Sequence, residues 1–480
     1  MAQEQMLKFV VRDQAYPDKR TADERAHDFR EIANRYAVPA AEDQASRCSQ
    51  CGVPYCSVHC PLHNHIPDWL RLTAEGRLRE AYELSNSTST MPEICGRICP
   101  QDRLCEGNCV IEFSGHGAVT IGSVEKFITD TAWAEGWVEP VQVAPARGQS
   151  VGVIGAGPAG LTTAELLRAR GYEVHVYDRH DRAGGLLTYG IPGFKLEKPV
   201  VMRRVERLEQ AGIVFHYGFA VGQDATLDDL RRRHDAVLIA TGVYKARQVE
   251  VPGAETNGVV AALDYLTASN RKGFGDAVPE FDGGALDAAG KDVVVVGGGD
   301  TAMDCVRTAI RQGAKSVKCL YRRDRANMPG SQREVANAEE EGAEFVWLSA
   351  PLAFDGAESV GTVRASRMRL GAPDASGRRA PEVDPGGELE LRADLVIKAL
   401  GFDAEDLPTL WGAPELGVSR WGTVLADGKT LMTSLEGVFA AGDIVRGASL
   451  VVWAIRDGRD VASSMHKWLK AKAAAEKVAA

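Results

Sequence analysis

Eight of the ten cysteines fall between Cys48 and Cys109, in two runs. The first is Cys48-x2-Cys51-x4-Cys56-x3-Cys60-Pro61; the second is Cys95-x3-Cys99-Pro100-x4-Cys105-x3-Cys109. Thiols this dense in a reducing compartment point to metal rather than disulfides. Eight thiolates suit two cubane clusters of four irons, each taking four cysteines. Zinc is the alternative, because Cys-x2-Cys also begins zinc sites, but the second Cys-x2-Cys or His pair that usually completes such a site does not follow. In two-cluster ferredoxins the last cysteine of a run ligates the other cluster. By that pattern Cys48, Cys51, Cys56 and Cys109 hold one cluster, and Cys60, Cys99 and Cys105 supply three ligands to the other. Its fourth ligand is Cys95 or an oxygen ligand such as Glu125. His59, His63 and His65 read as loop histidines rather than ligands, and Cys305 and Cys319 stand alone.

A second chemistry is written in glycine. Val151-Gly-Val-Ile-Gly155-Ala-Gly157-Pro158-Ala159-Gly160 is an apolar strand, a tight turn and the start of a helix. Gly155 lets the chain turn, Gly157 lets backbone approach a pyrophosphate, and Gly160 lets the helix pack on the strand. Pro158 occupies a helical first turn, where a missing N–H is harmless, and the positive helix end faces the phosphates. The strand Glu173–Tyr177 ends in Asp178, about 20 residues on, where an acid meets a ribose hydroxyl. Gly184-Gly185 allows backbone beside a bulky planar cofactor, and Asp235–Gly242 is a buried strand suited to a crossing between domains. Gly437–Gly442 is a further strand ending in Asp443, an acid placed for a ribityl hydroxyl.

The fingerprint recurs at Asp292-Val-Val-Val-Val-Gly297-Gly298-Gly299-Asp300-Thr301-Ala302, with Ala302 in the third glycine position. The next strand, Ser316–Tyr321, ends in Arg322-Arg323 instead of an acid. Arginines there accept a 2′-phosphate, so NADP is expected rather than NAD. Ala393–Gly401 reads as the return crossing.

These residues need several units to position them. At 480 residues more than one domain is expected. The expected plan is α/β: two Rossmann-like dinucleotide-binding domains preceded by a mainly helical iron–sulfur domain. Helices are expected over Asp23–Tyr36, Pro67–Leu84, residues 118–138, Ala302–Arg311 and Leu450–Trp468, with Lys470–Ala480 frayed. The Pro140–Ser150 linker ends the head, 1–145; the first dinucleotide-binding domain is expected to be discontinuous, 146–255 with 395–480, and the second to span 256–394. Glu339–Glu341 and Arg231–Arg233 read as solvated helix faces. A net charge of −10 argues against a nucleic-acid surface. The charged N-terminus is no signal peptide, and no run approaches the ~18 apolar residues of a membrane span, so a cytoplasmic protein is expected.

Gly-Ala-Gly-Pro-Ala-Gly, Ala-Thr-Gly, Gly-Gly-Gly-Asp-Thr-Ala and Ala-Ala-Gly-Asp together resemble the two-dinucleotide-domain flavoprotein reductases. With the eight-cysteine head, the whole chain resembles the small (beta) subunits of bacterial NADPH-dependent glutamate synthases. The same module resembles the N-terminal part of dihydropyrimidine dehydrogenase, where a glutamine ligates a cluster; this chain has Glu125. The resemblance implies FAD on the first fold, NADPH on the second and two 4Fe–4S clusters in the head. It implies hydride transfer between cofactors, with no catalytic side chain, and electrons passing to the FMN of a large (alpha) partner subunit, the two forming a hetero-oligomer. That partner, with its amidotransferase, forms L-glutamate from glutamine and 2-oxoglutarate. The alternative is an NADPH/ferredoxin oxidoreductase or transhydrogenase subunit. A thioredoxin-reductase-like enzyme would need a redox Cys-x-x-Cys, which Cys305 and Cys319 do not form.

Overall fold

A parallel strand buried on both faces must be covered by helices on both. Ser150–Ile154 is such a strand: after Ser150 every residue is buried. It sits at the centre of a five-stranded parallel sheet in the order Val438–Ala440, Ala236–Ile239, Ser150–Ile154, Glu173–Asp178, Val214–Tyr217. A second five-stranded parallel sheet repeats the plan: Val259–Ala261, Leu395–Lys398, Asp292–Val296, Ser316–Tyr321, Glu344–Trp347. Each is a doubly wound fold with its glycine turn after the central strand. The computed structural model describes residues 7–373 and 379–479. The two crossings between the folds run side by side, with Lys245–Ala246 pairing antiparallel with Phe402–Asp403. An antiparallel sheet of Ser349–Asp355, Thr362–Pro373 and Arg379–Arg392 extends the second fold.

The head is helical but its helices are shorter than expected. The 23–36 helix is only Ala22–Ala26, started by a Thr21/Glu24 capping box. Asp28 then accepts from the Arg30 amide and pairs with Arg20, which turns the chain back. Asn34 and Arg20 amides bond across that loop to the Asp18 and Ile32 carbonyls. The 67–84 helix is two helices, Ile66–Ala74 and Leu78–Thr88. Gly76, at φ +73°, ends the first in a conformation few other residues adopt. Of the expected 118–138 helix, Ile121–Ala134 forms, and it packs against Pro92–Ile98. The fingerprint helix begins at Asp300, two residues early.

The closing helix corrects another expectation. It runs from Val451 to Ala479, far beyond Trp468. Gly458 lets it cross the helix Pro158–Ala169 closely; a Cβ there would lie 2.6 Å from the Ala159 carbonyl oxygen. Beyond the crossing, the Leu469 carbonyl accepts from Gln149 and Lys472 pairs with Asp235, so the segment after Lys470 stays wound.

Buried charges join the three units. Glu93 of the head and Arg204 of the first fold form a bidentate pair at 2.9 and 2.8 Å, both fully buried. Glu341 was expected on a solvated face, yet its side chain is buried among Arg307 and Arg311 of its own fold and Arg25 of the head. Burial pushes Glu341 up, but the two guanidiniums of Arg307 and Arg311 outweigh it and hold it at about 2. Phe194, from the first fold, lies under both of those arginines. Glu339, Arg231 and Arg232 do lie in solvent-side ion pairs.

The first sheet also buries a histidine. Gly152 leaves room for the His234 ring, since a Cβ there would lie 2.6 Å from it. His234 bonds Tyr177 at 2.9 Å and Ser150 at 3.1 Å, beside His175 and His216. Burial, then the neighbouring His175 and Arg233 charges, lowers its pKa from 6.5 to about 4. The folded state therefore binds fewer protons than the unfolded one. Stability contributed here is full above 6.5, falls as pH drops, and levels off below about 4. Urea midpoints of the loaded protein are expected to fall on acidification, and His234→Asn to remove on the order of 2 kcal/mol of that pH dependence.

Candidate cofactor and electron-transfer site

The glycines of each fingerprint divide by what surrounds them. At Gly155, φ is +106° and a Cβ would lie 2.4 Å from the Ala240 carbonyl oxygen; at Gly160 it would lie 2.0 Å from that of Gly155. At Gly157 nothing lies within 4 Å. The first two are glycine because the fold demands it, and the third leaves backbone open to a ligand. The second loop repeats this: a Gly297 Cβ would meet Ala399 O at 2.2 Å, whereas Gly299 faces open space. Ala302 is fully buried in the third position, where the helix leaves room for a methyl group.

A chamber of about 100 Å³ opens beside the first turn, lined by Gly157, Pro158, Ala159, Asp178, Gly242, Gly442 and Asp443. One Asp178 oxygen accepts from the Ala156 amide at 2.7 Å and the other from the His180 amide, so this acid also braces the turn. Gly185, at φ +54°, lies against Gly157, where a Cβ would sit 2.9 Å from the Gly157 Cα. Burial pushes Asp443 up to about 6. Thr241, Tyr244, Leu450 and Val451 also line the chamber and went unremarked in the sequence. Thr241 was visible within Ala-Thr-Gly; Leu450 carries no local signal.

A larger cavity, about 560 Å³, reaches from Asp300 and Thr301 to Ser449, Leu450 and Val451, which it shares with the first chamber. The head supplies one wall, including Tyr16, Cys99 and Asp102, and Lys195 pairs with Asp304 in the opposite wall at 2.9 Å. At the end of Ser316–Tyr321, neither Arg322 nor Arg323 has a side-chain partner among the described residues, and Arg323 Nε is buried. Arg325, by contrast, is held by Glu339 at 2.7 Å.

The thiols gather as two groups. Cys48, Cys51, Cys56 and Cys109 line one small chamber with Tyr55, Pro67 and Leu70. Cys60, Cys95, Cys99 and Cys105 neighbour one another around Glu125. Glu125 accepts from Ser85 and Asn64, each at 3.1 Å, and burial pushes it up to about 8. Burial pushes Cys48 and Cys56 up to about 12 and Cys60 to about 11. Contact with Cys95, together with burial, raises Cys99 as well. Thiols this hard to ionise need a bound cation to become thiolates. Among the described residues no three His, Cys, Asp or Glu side chains converge on a single-ion site. His59, His63 and His65 are exposed. Cys60, Cys95 and Cys99 pack into the core of the first fold, while Cys48, Cys56 and Cys109 belong to the head's own core. Cys305 and Cys319 are buried, and Cys319 donates to the Gly297 carbonyl, so neither is an accessible redox thiol.

Residues 25–137 match the dihydropyrimidine dehydrogenase domain II family, described as a 4Fe–4S cluster domain, and residues 149–458 match the pyridine nucleotide-disulphide oxidoreductase family. Among solved structures, FprA from Mycobacterium tuberculosis in complex with NADPH has a TM-score of 0.57 at 22% identity, covering 69% of this chain and 87% of its own. Thioredoxin reductase from Lactococcus lactis has a TM-score of 0.50 at 22% identity, covering 67% and 98%. Both show the shared fold. No described helix is long and apolar enough to cross a membrane. The glutamate synthase [NADPH] small chain of Azospirillum brasilense is 66% identical over 475 residues, 99% of this chain and 98% of that one. That of Escherichia coli is 45% identical over 472 residues, 97% and 99%. With an iron–sulfur head, two dinucleotide folds and end-to-end identity at this level, the chain belongs to the small-chain family of NADPH-dependent glutamate synthases.

Proposed function

We propose that this chain takes electrons from NADPH and delivers them singly to a large partner subunit carrying FMN and an amidotransferase, which forms L-glutamate from glutamine and 2-oxoglutarate. The observation that carries this reading is the larger cavity: it runs from Asp300 and Thr301, at the helix start after the second glycine loop, to Leu450 beside the first, with Cys99 in its wall. Gly155, Gly157, Gly160, Gly185, Gly242 and Gly442 cradle FAD, with Asp178 and Asp443 taking its hydroxyls. Gly297, Gly299, Thr301 and the helix starting at Asp300 receive the NADPH pyrophosphate, and Arg322 and Arg323 its 2′-phosphate. Cys60, Cys95, Cys99 and Cys105 hold one 4Fe–4S cluster, with Glu125 as hydrogen-bonded neighbour, and Cys48, Cys51, Cys56 and Cys109 hold the other. When bound, FAD accepts an electron pair and the clusters relay single electrons. These residues would hold the nicotinamide and the flavin at the shared cavity, with the head as one wall and Cys99 lining it. The proposed units are 1–145, 146–255 with 395–480, and 256–394, in a cytoplasmic hetero-oligomer.

The test is the cofactor preference. Charge-assisted hydrogen bonds contribute about 1.5–3 kcal/mol each. Arg322→Ala/Arg323→Ala is therefore expected to raise KM for NADPH roughly 100-fold while leaving NADH oxidation to ferricyanide near its starting rate. Unchanged preference for NADPH would refute the 2′-phosphate assignment. The chain alone should oxidise NADPH with ferricyanide yet form glutamate only once the large subunit is added.

A further inference from the structure

The head touches the second nucleotide fold at its glycine turn through two neighbouring side chains: Asp102 accepts from the Ser331 hydroxyl at 3.3 Å, and Arg103 reaches the turn itself. Arg103 lies on the short turn Gln101–Arg103, between Cys99 and Cys105. Its Nη2 donates to Asp300 Oδ2 at 3.1 Å and its Nη1 to the Pro329 carbonyl at 2.8 Å. Asp300 is the first residue of the helix after Gly299. An uncompensated carboxylate at that helix end would repel the pyrophosphate that the helix is built to receive. The other Asp300 oxygen accepts from the Ser331 amide at 2.8 Å, and the Gly330 amide donates to the Gly298 carbonyl at 3.0 Å. Residues 328–331 are thus laid over the glycine turn, close enough that a Gly330 Cβ would come 3.2 Å from the Gly298 oxygen. Arg103 holds both sides of this closure, Asp300 on the helix and Pro329 on the covering segment.

We propose that Arg103 is a positioning residue of the NADPH site, supplied by the iron–sulfur head: it neutralises Asp300 and keeps 328–331 closed over the phosphate-binding turn. This rests on the NADPH reading above. As a bare surface ion pair it would contribute little, with the two side chains 44% and 38% exposed. Its effect comes from the charge it cancels beside an incoming dianion. Because Arg103 lies two residues before Cys105, the loop that carries a cluster ligand also closes the nucleotide site.

The test uses the full chain loaded with flavin and iron, titrated with NADP+ and followed by calorimetry and the flavin difference spectrum. Arg103→Ala is expected to weaken NADP+ about tenfold and raise KM for NADPH equally, with kcat within about twofold. Arg103→Lys should recover most of the loss. Arg103→Ala/Asp300→Asn should also recover much of it, because the offending anion is gone. Glu340→Gln removes the head contacts from Lys19 and Arg25 away from the turn and should leave NADP+ affinity unchanged. NADP+ binding by Arg103→Ala at wild-type affinity would overturn the proposal, as would an equal loss in Glu340→Gln, which would mark a general docking effect. A wild-type chain that binds no NADP+ would instead bring down the underlying NADPH reading.

Discussion

Gly157→Ala folds normally and is purified without its flavin. Gly157 has ordinary extended dihedrals, φ −78° and ψ −178°, that alanine adopts without strain. A methyl group there meets nothing within 4 Å of the protein itself. Removing a glycine at a compatible position changes stability by no more than about 1 kcal/mol, and in the favourable direction. The methyl group does stand where a pyrophosphate must approach backbone, and overpacking of that kind costs about 1–3 kcal/mol or more, roughly 10–100-fold in FAD affinity. Gly155→Ala and Gly160→Ala behave differently: each drives a methyl group into a backbone oxygen, and the first also places alanine at φ +106°, so both lose the fold along with the cofactor. Flavin absorbance per chain together with thermal unfolding separates the two outcomes. Gly299→Ala gives the matching result on the other fold, with flavin retained and NADP+ binding lost. A Gly157→Ala protein that held FAD as tightly as the parent would remove the first turn from the site.

The glycine loops were legible in the sequence because their requirement is local: a turn with positive φ and a helix start admit few residues, and the strand pattern around them names the fold. The spacing put Cys109 with Cys48, Cys51 and Cys56, and these four line one small chamber. What stayed hidden depends on partners far along the chain. Glu341 sits in a run of three acids that reads as a wet helix face, and nothing nearby shows that Arg25, more than 300 residues earlier, will bury it. The break at Gly76 was visible as a glycine, but the apolar pattern ran on through it. The extension of the last helix to Ala479 depends on Asp235 and Gln149, which the sequence places far away. Arg103 was passed over for the same reason: between two cysteines it reads as a solvated loop arginine until the second fold closes against it.

Cys99→Ala should separate two activities that one chain now joins. Cys99 faces the cavity shared with Leu450 and packs with Cys95 and Cys60 against the first fold, so on the proposed reading its group would stand between FAD and the outer thiols. Cys60 and Cys105 also pack into the head core with Cys48 and Cys56, which makes the two groups neighbours. On the proposed reading of two clusters, losing one of four thiols should remove about half the iron. NADPH oxidation with ferricyanide, which can meet the flavin directly, should persist. Glutamate formation with the large subunit should vanish, because the proposed relay passes through that group. Cys48→Ala should abolish glutamate formation as well, yet leave the flavin-side cluster reducible by NADPH in an EPR spectrum, a signal that Cys99→Ala lacks. The order of the relay is thereby read from which variant keeps a reducible cluster. If instead Cys99→Ala kept its full iron and supported glutamate formation at the parent rate, electrons would leave the flavin by a path that bypasses these thiols, and the proposed division of the cysteines would fall with it.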